Sequence, residues 1–409
     1  MLVMAWLTSH AQSKLEFLDK AYNPSIKTLM LYPTLGNSID NLNPAVTSIN
    51  QNNLVLEFDE LRANRTNFYA KLIHCNYDWT QSTLHDMDFM HDYNEFNITD
   101  YSFSSNTHVP YVHYKFAVPP VKLPGNYLLI VYRDGNKNDL VISKRLMVYA
   151  EQINVTYDAQ FAGSAGRSTQ PINFTVNYAG VDIQNPIQSL HVVILQNHRW
   201  DNYKSDLAPN FIRDQSSELE YRFFDDENIF KGDNEFRFVD FRSLNYPGQN
   251  TGSLDKSKKP FHLLVAQDRP RPDQAYSQYN DYDGGYLIDN KDYGEAAISG
   301  NYVSVTFTLN PYQKYNDPIY VLGAFNQWNH TEENKMIFNT TLGMFEQTLL
   351  LKQGLYNYQY VVDSPNASNS IEGNHFETEN SYEIFIYNRS FQPNADLLLG
   401  YSLRTLNPR

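Results

Sequence analysis

The 409-residue sequence predicts an all-β chain built from tandem β-sandwich domains. Three observations point there. Apolar residues recur in short runs that alternate with period two rather than with helical spacing. Clusters of Pro, Gly, Asn and Asp separate those runs. Tyr and Phe number 31 and 24, and both suit pleated, half-buried surfaces. A chain of this length divides into two or three domains. The breaks are expected near residues 150 and 310, giving sandwiches over 12–150, 151–310 and 311–409.

The N-terminus opens with an apolar run, Leu2 to Leu7, followed by Thr8-Ser9-His10-Ala11-Gln12. Small residues at Ser9 and Ala11 suit a signal peptidase that cuts between Ala11 and Gln12. Export is therefore expected, with residues 1–11 as a leader. No later stretch approaches the roughly 18 apolar residues of a membrane helix, so direct membrane insertion is not expected.

In the first third, Ile26–Tyr32, Leu54–Phe58, Phe68–Tyr77, Tyr111–Val118, Tyr127–Tyr132 and Leu140–Tyr149 read as strands. Val112, Tyr114, Phe116 and Val118 alternate onto one face. Asp134-Gly135-Asn136 turns the chain between the last two strands. The polar 78–107 segment reads as an irregular loop. Its His85, Asp86, Asp88 and His91 match no helical His-pair spacing, so no metal is expected there.

The middle third is organised around FKGDNEFRFVDFRSLNY, residues 230–246. Lys231-Gly232-Asp233-Asn234 is a turn signal. Glu235 to Leu244 reads as a strand, with Phe236, Phe238, Asp240 and Arg242 on one face and Glu235, Arg237, Val239, Phe241 and Ser243 on the other. Each face carries an acid and a base two residues apart. A charged group without a partner is expensive to bury, so the charges read either as two solvated or half-buried ion pairs or as a paired charge lattice that orders loops for a protein partner. Residues 268–294 then form a long loop punctuated by Tyr276, Tyr279, Tyr282, Tyr286 and Tyr293. Tyr is enriched at protein interfaces because one end is apolar and the other polar; the rings either cover their own domain or meet a partner, with Tyr276, Tyr279 and Tyr282 as the expected anchors. A calcium loop there fails, because Tyr279 and Asn290 fall where carboxylates are needed. Residues 301–309, NYVSVTFTL, alternate cleanly as a strand.

Charge and motifs exclude several function classes. The net charge is −14, and the longest basic run is Lys256-Ser257-Lys258-Lys259, too short for counterion-driven nucleic-acid binding. Cys75 is the single cysteine, which rules out an internal disulfide and a cysteine zinc site. No nucleophile elbow, P-loop, zincin or dinucleotide fingerprint occurs. Glu235 and Asp240 have opposite strand parity and cannot converge as an acid–base pair. No enzyme activity, cofactor or metal is expected.

The segment from Gly232 to Tyr246 resembles the middle of the type IX secretion plug proteins, periplasmic proteins of Bacteroidetes-type bacteria. The likeness extends to His74-Cys75-Asn76-Tyr77-Asp78-Trp79, Ser105-Asn106-Thr107 with Tyr111 to Tyr114, Gly125-Asn126-Tyr127-Leu128-Leu129, and Asp283-Gly284-Gly285-Tyr286. It implies a non-enzymatic protein at the periplasmic mouth of an outer-membrane β-barrel translocon, sealing the pore when no substrate is in transit. Asn234, Glu235, Arg237, Asp240, Arg242 and Ser243 are its implied structural residues. Ile319–Trp328 and Gly354–Asp363 also resemble early-set immunoglobulin-like modules, the fold of glycogen-binding modules. The implied architecture is tandem immunoglobulin-like or fibronectin-like sandwiches. The alternative function is a periplasmic or surface glycan-binding protein; Trp328 matches that family's sugar-stacking tryptophan, but one ring is not a sugar platform, so Trp328 is read as core or rim. Gln359 stands where that family has lysine, and the second tryptophan expected after Asp363 is absent.

Overall fold

The computed structural model describes residues 14–157, 168–222, 227–364 and 369–408. Ala11 and Gln12 lie outside them. The described chain is mostly β, arranged as several antiparallel-dominated sheets, none of them closed.

The first unit uses only residues from Lys20 to Tyr149. One sheet runs in the order Lys20–Ala21, Leu140–Tyr149, Gly125–Arg133, Phe68–Cys75, Phe96–Ile98, and Val46–Ser48 adds in parallel to Leu140–Tyr149. The other runs Ile26–Pro33, Leu54–Glu60, Val112–Ala117, Asp100–Phe103. They share a core that includes all four residues expected to alternate inward, Val112, Tyr114, Phe116 and Val118. Phe58 stacks on Tyr114 at 5.1 Å, and Phe68 meets both rings edge-on. Such pairs add about 0.5–1.5 kcal/mol each beyond their burial. The 78–107 segment is less irregular than expected. It holds a helical turn, Asp86–Phe89, and both short edge strands, Phe96–Ile98 and Asp100–Phe103.

Gly125–Arg133 reads as a nearly continuous apolar run because both its faces are covered. Tyr127, Leu129 and Val131 enter the first core. Leu128, Ile130 and Tyr132 enter a second core with Val193, Leu195, Phe385, Tyr387 and Leu398. Leu190–Gln196 is built the same way: Val192 and Ile194 face a third core, while Val193 and Leu195 face the first unit. Each large side chain so buried contributes roughly 1.5–3 kcal/mol, so the first two units are joined by a core rather than by a linker.

The boundary expected at 310 is not a boundary between sheets. Asn380–Ser390 and Ala395–Leu406 complete a sheet with Leu190–Gln196 and Arg199–Ser205. That sheet shares a core with the sheet of Asn154–Tyr157, Phe174–Asn177, Glu218–Tyr221 and Phe211–Arg213. The third unit is inserted into the second. It pairs Tyr302–Leu309 with Met344–Lys352, and Gly354–Val362 with Arg237–Asp240, Tyr286–Ile288 and Ile319–Leu322. Residues 311–409 are therefore not a self-contained sandwich. Tyr356, Tyr358, Tyr360 and Val362 need an apolar face to pack on, and Val239, Phe241, Val303, Val305 and Phe307 supply it from before residue 310.

Candidate functional site

The organising stretch is a strand only over Arg237–Asp240, shorter than the expected Glu235 to Leu244. Arg242 ends it by turning its own N–H onto Asp240 Oδ1 at 3.1 Å, a local bond that competes with the ladder. Arg242 then closes a bidentate pair with Asp240, at 2.9 and 2.7 Å. The acid and base expected on one face do meet.

The other face is paired across the sequence. Arg237 donates through Nε to both Glu372 oxygens at 3.0 Å and through Nη1 to Asp268 at 2.7 Å. Arg271 joins through Nε to Glu372 at 2.8 Å. Tyr360 donates its N–H to Glu372 at 2.9 Å, and the Tyr358 and Tyr360 hydroxyls each donate to Asp268 at 2.8 Å. Burial acts to raise the Glu372 carboxyl, but the Arg237 and Arg271 guanidiniums outweigh it and hold the group below its usual range. Glu372 is the hub, and nothing in the Ile371-Glu372-Gly373 context marks it in advance.

This lattice ties down the start of the 268–294 loop. Arg271 Nη2 donates to the Glu235 carbonyl at 2.5 Å, and Tyr279 donates to the same carbonyl at 2.9 Å. Tyr276 donates to the Glu235 carboxylate, which is fully buried. Asn234 donates to the Glu372 carbonyl at 2.8 Å. Tyr282 donates its N–H to Asn357. The three tyrosines are half-buried, and two of their hydroxyls are used within the chain. Asp281 accepts from the Phe236 N–H at 2.5 Å and from the Asp283 N–H at 2.9 Å. Burial and then the Asp283 carboxylate push Asp281 up to about 8. Ser243 donates to Asp292 at 2.5 Å, fixing the far end of the loop.

Trp328 does not stand free. The Arg199 guanidinium covers it at 4.1 Å, and Phe236 packs at 5.8 Å. Gly284, at φ +82°, lies so close that a Cβ there would sit 2.5 Å from the Trp328 ring. The half-buried ring packs between residues of the second and third units. Among the described residues no group of three or more His, Cys, Asp or Glu is placed to hold a metal ion. His85 and Asp88 instead cap a helical turn, and Asp86 pairs with Lys71 at 2.6 Å. No helix of the described residues is long and apolar enough to cross a membrane.

A second ionic cluster locks the first unit to the third. Asp59 and Lys352 pair at 2.7 Å, with side chains 0% and 1% exposed. Asp59 also accepts from Tyr302 at 2.7 Å and meets His113 Nδ1 at 2.8 Å. Lys352 donates to the Ala297 carbonyl at 2.6 Å and lies over the Tyr111 ring at 4.2 Å. Burial alone would raise the Asp59 carboxyl; Lys352 and His113 bring it below the usual range.

The sheet pair that carries Asp59 has a family of its own. Residues 26–150 match the type 9 secretion system plug protein 1st domain. The plug domain ends where the Leu140–Tyr149 strand ends, so the Asp59–Lys352 pair joins it to sequence beyond the match. A crystal structure of a hypothetical protein from Parabacteroides merdae ATCC 43184 is similar over 96% of this chain and 100% of its own, at 26% identity and a TM-score of 0.89. Salmonella alpha-2-macroglobulin reacted with methylamine aligns with 93% of this chain and 24% of its own, at 12% identity and a TM-score of 0.14. No curated protein matches the chain. The match of the plug domain indicates no catalytic family.

Proposed function

We propose that this protein is a non-enzymatic plug that binds the periplasmic end of the outer-membrane β-barrel translocon of type IX secretion and closes its pore between substrates. The match of residues 26–150 to the plug domain carries the reading. The build of the molecule supports it. A stopper has to resist deformation as one body, and relative motion between units is the default unless their interfaces are extensive. Here a shared apolar core joins the first two units and buried ion pairing joins the first and third. In this reading the three unit cores are immunoglobulin-like sandwiches, residues 1–11 are a leader removed on export to the periplasm, and the 268–294 loop lies on the partner-facing side.

The test is a strain lacking this protein but retaining the translocon. Its outer membrane is expected to leak molecules that are normally excluded, and plasmid-borne protein is expected to restore the barrier. An intact barrier in that strain counts against plugging.

A further inference from the structure

Three loops that are distant in sequence converge on one exposed face. Asp292 accepts from Ser243 Oγ at 2.5 Å and from the Leu244 N–H at 2.7 Å, joining the 243–246 and 289–295 loops. Ser243 Oγ in turn accepts from the Asn245 and Tyr246 N–H groups at 3.2 and 3.1 Å. Gln353 ties the same loops from beneath, donating to the Arg242 carbonyl at 2.8 Å and to Asn290 at 3.1 Å. The tip of the antiparallel hairpin of Thr251–Asp255 and Phe261–Val265 joins through Lys256, which donates to Asn245 at 3.2 Å. Tyr293 reaches the Asn106 carbonyl of the plug domain at 3.5 Å.

What this pinned frame presents is specific. Tyr246 is 77% exposed and Tyr293 51%. Lys256, Lys258, Lys259 and Lys291 are exposed around them. In a chain of net charge −14, the tip carries three lysines against Asp255, which lies 3.8 Å from Lys258. Asp289, 3.7 Å from Arg242, and the exposed Glu295 are the acids of the neighbouring loop. A tyrosine on a fixed loop loses little entropy when a partner covers it, which makes it an efficient anchor. Lysines at the rim select a partner of opposite charge and speed its approach.

We propose that this face docks on a carboxylate-bearing protein surface, with Tyr246 and Tyr293 as anchors and the 256–259 lysines as the charged rim. The inference rests on the plug reading and adds where the translocon sits and what its contacting surface carries.

Two full-length variants test it, Tyr246→Ser with Tyr293→Ser, and Lys256→Glu with Lys258→Glu and Lys259→Glu. The lysines are exposed on a hairpin tip, so the second variant keeps the fold if the first does not. Co-purification with the barrel is measured at low and high salt. The tyrosine variant is expected to bind roughly tenfold or more weakly. The lysine variant is expected to lose most at low salt, where the parent's advantage is greatest. If the parent binds and both variants bind equally well, the docking face is wrong while the plug reading stands. If the parent itself does not bind the barrel, the plug reading fails and this inference with it. Vesicles of anionic phospholipid are the third arm. Parent binding to vesicles that the lysine variant loses, with barrel binding unchanged, assigns the face to membrane and overturns the proposal.

Discussion

The molecule holds two buried ionic networks that look alike and act differently. The one centred on Asp59 gathers Lys352, Tyr302 and His113 from two units, and both charges of its central pair are out of solvent. The one centred on Glu372 gathers Arg237, Arg271 and the Tyr360 N–H from within the third unit, and neighbouring Asp268 shares Arg237. The first is a seam between bodies. The second is a brace that holds a loop against its own sheet. Without Lys352 the fully buried Asp59 keeps only His113 beside it, whereas without Glu372 the Arg237 guanidinium still keeps Asp268.

The difference is best broken at its strongest point. Lys352→Ala is expected to destabilise the protein by about 3–5 kcal/mol, because Asp59 loses its cation in a closed site. Chemical denaturation measures this. Limited proteolysis is expected to separate the plug domain from the third unit. A variant as stable as the parent would show that water reaches the seam.

Glu372→Ala is expected to cost less, about 1.5–3 kcal/mol for hydrogen bonds to a charged group, since Arg237 keeps Asp268. Its signature is local: protease should cut within the 268–294 loop faster than in the parent, with the plug domain unaffected. Equal cleavage rates would mean that the tyrosines alone hold the loop. The Asp240–Arg242 pair sharpens the contrast from the half-exposed side. Alanine at each, and at both, should give a coupling energy of roughly 0.5–3 kcal/mol in a double-mutant cycle. Additive effects would reduce the pair to two solvated charges.

Acid and alkali separate both networks from Asp281. The folded values of Asp59 and Glu372 lie below their usual ones. Their contribution is present above the unfolded carboxylate range, near pH 4, and is lost as pH falls through the lower folded values. Asp281 has the opposite sign. Its folded value is raised to about 8, so its contribution is full below the unfolded value and is lost as pH rises through about 8. Between those limits it gives stability a negative slope of at most about 1.4 kcal/mol per pH unit. Asp281→Asn should flatten that slope in melts taken across pH 4 to 9. An unchanged slope would place its origin elsewhere.

Strand parity was sufficient to put Asp240 beside Arg242 and to send Val112, Tyr114, Phe116 and Val118 into one core. Those are local consequences of a two-residue period and of side-chain apolarity, which any sheet context preserves. The sequence by itself also carried the resemblance to the plug family, of which residues 26–150 match the first-domain model. It did not determine which strands pair across the boundary expected at 310. Asn380–Ser390 has apolar residues on both faces, and only the assembled molecule decides that Leu190–Gln196 lies beside it. Glu372, Lys352 and Asp292 likewise carry no local signal, because an ion's role is set by what lies a few ångströms away and those neighbours come from 135, 293 and 49 residues distant in the chain. The same holds for the tyrosines. The sequence singled out Tyr276, Tyr279 and Tyr282, and only the tertiary structure shows that the Tyr276 and Tyr279 hydroxyls brace Glu235 while Tyr246 and Tyr293 are exposed.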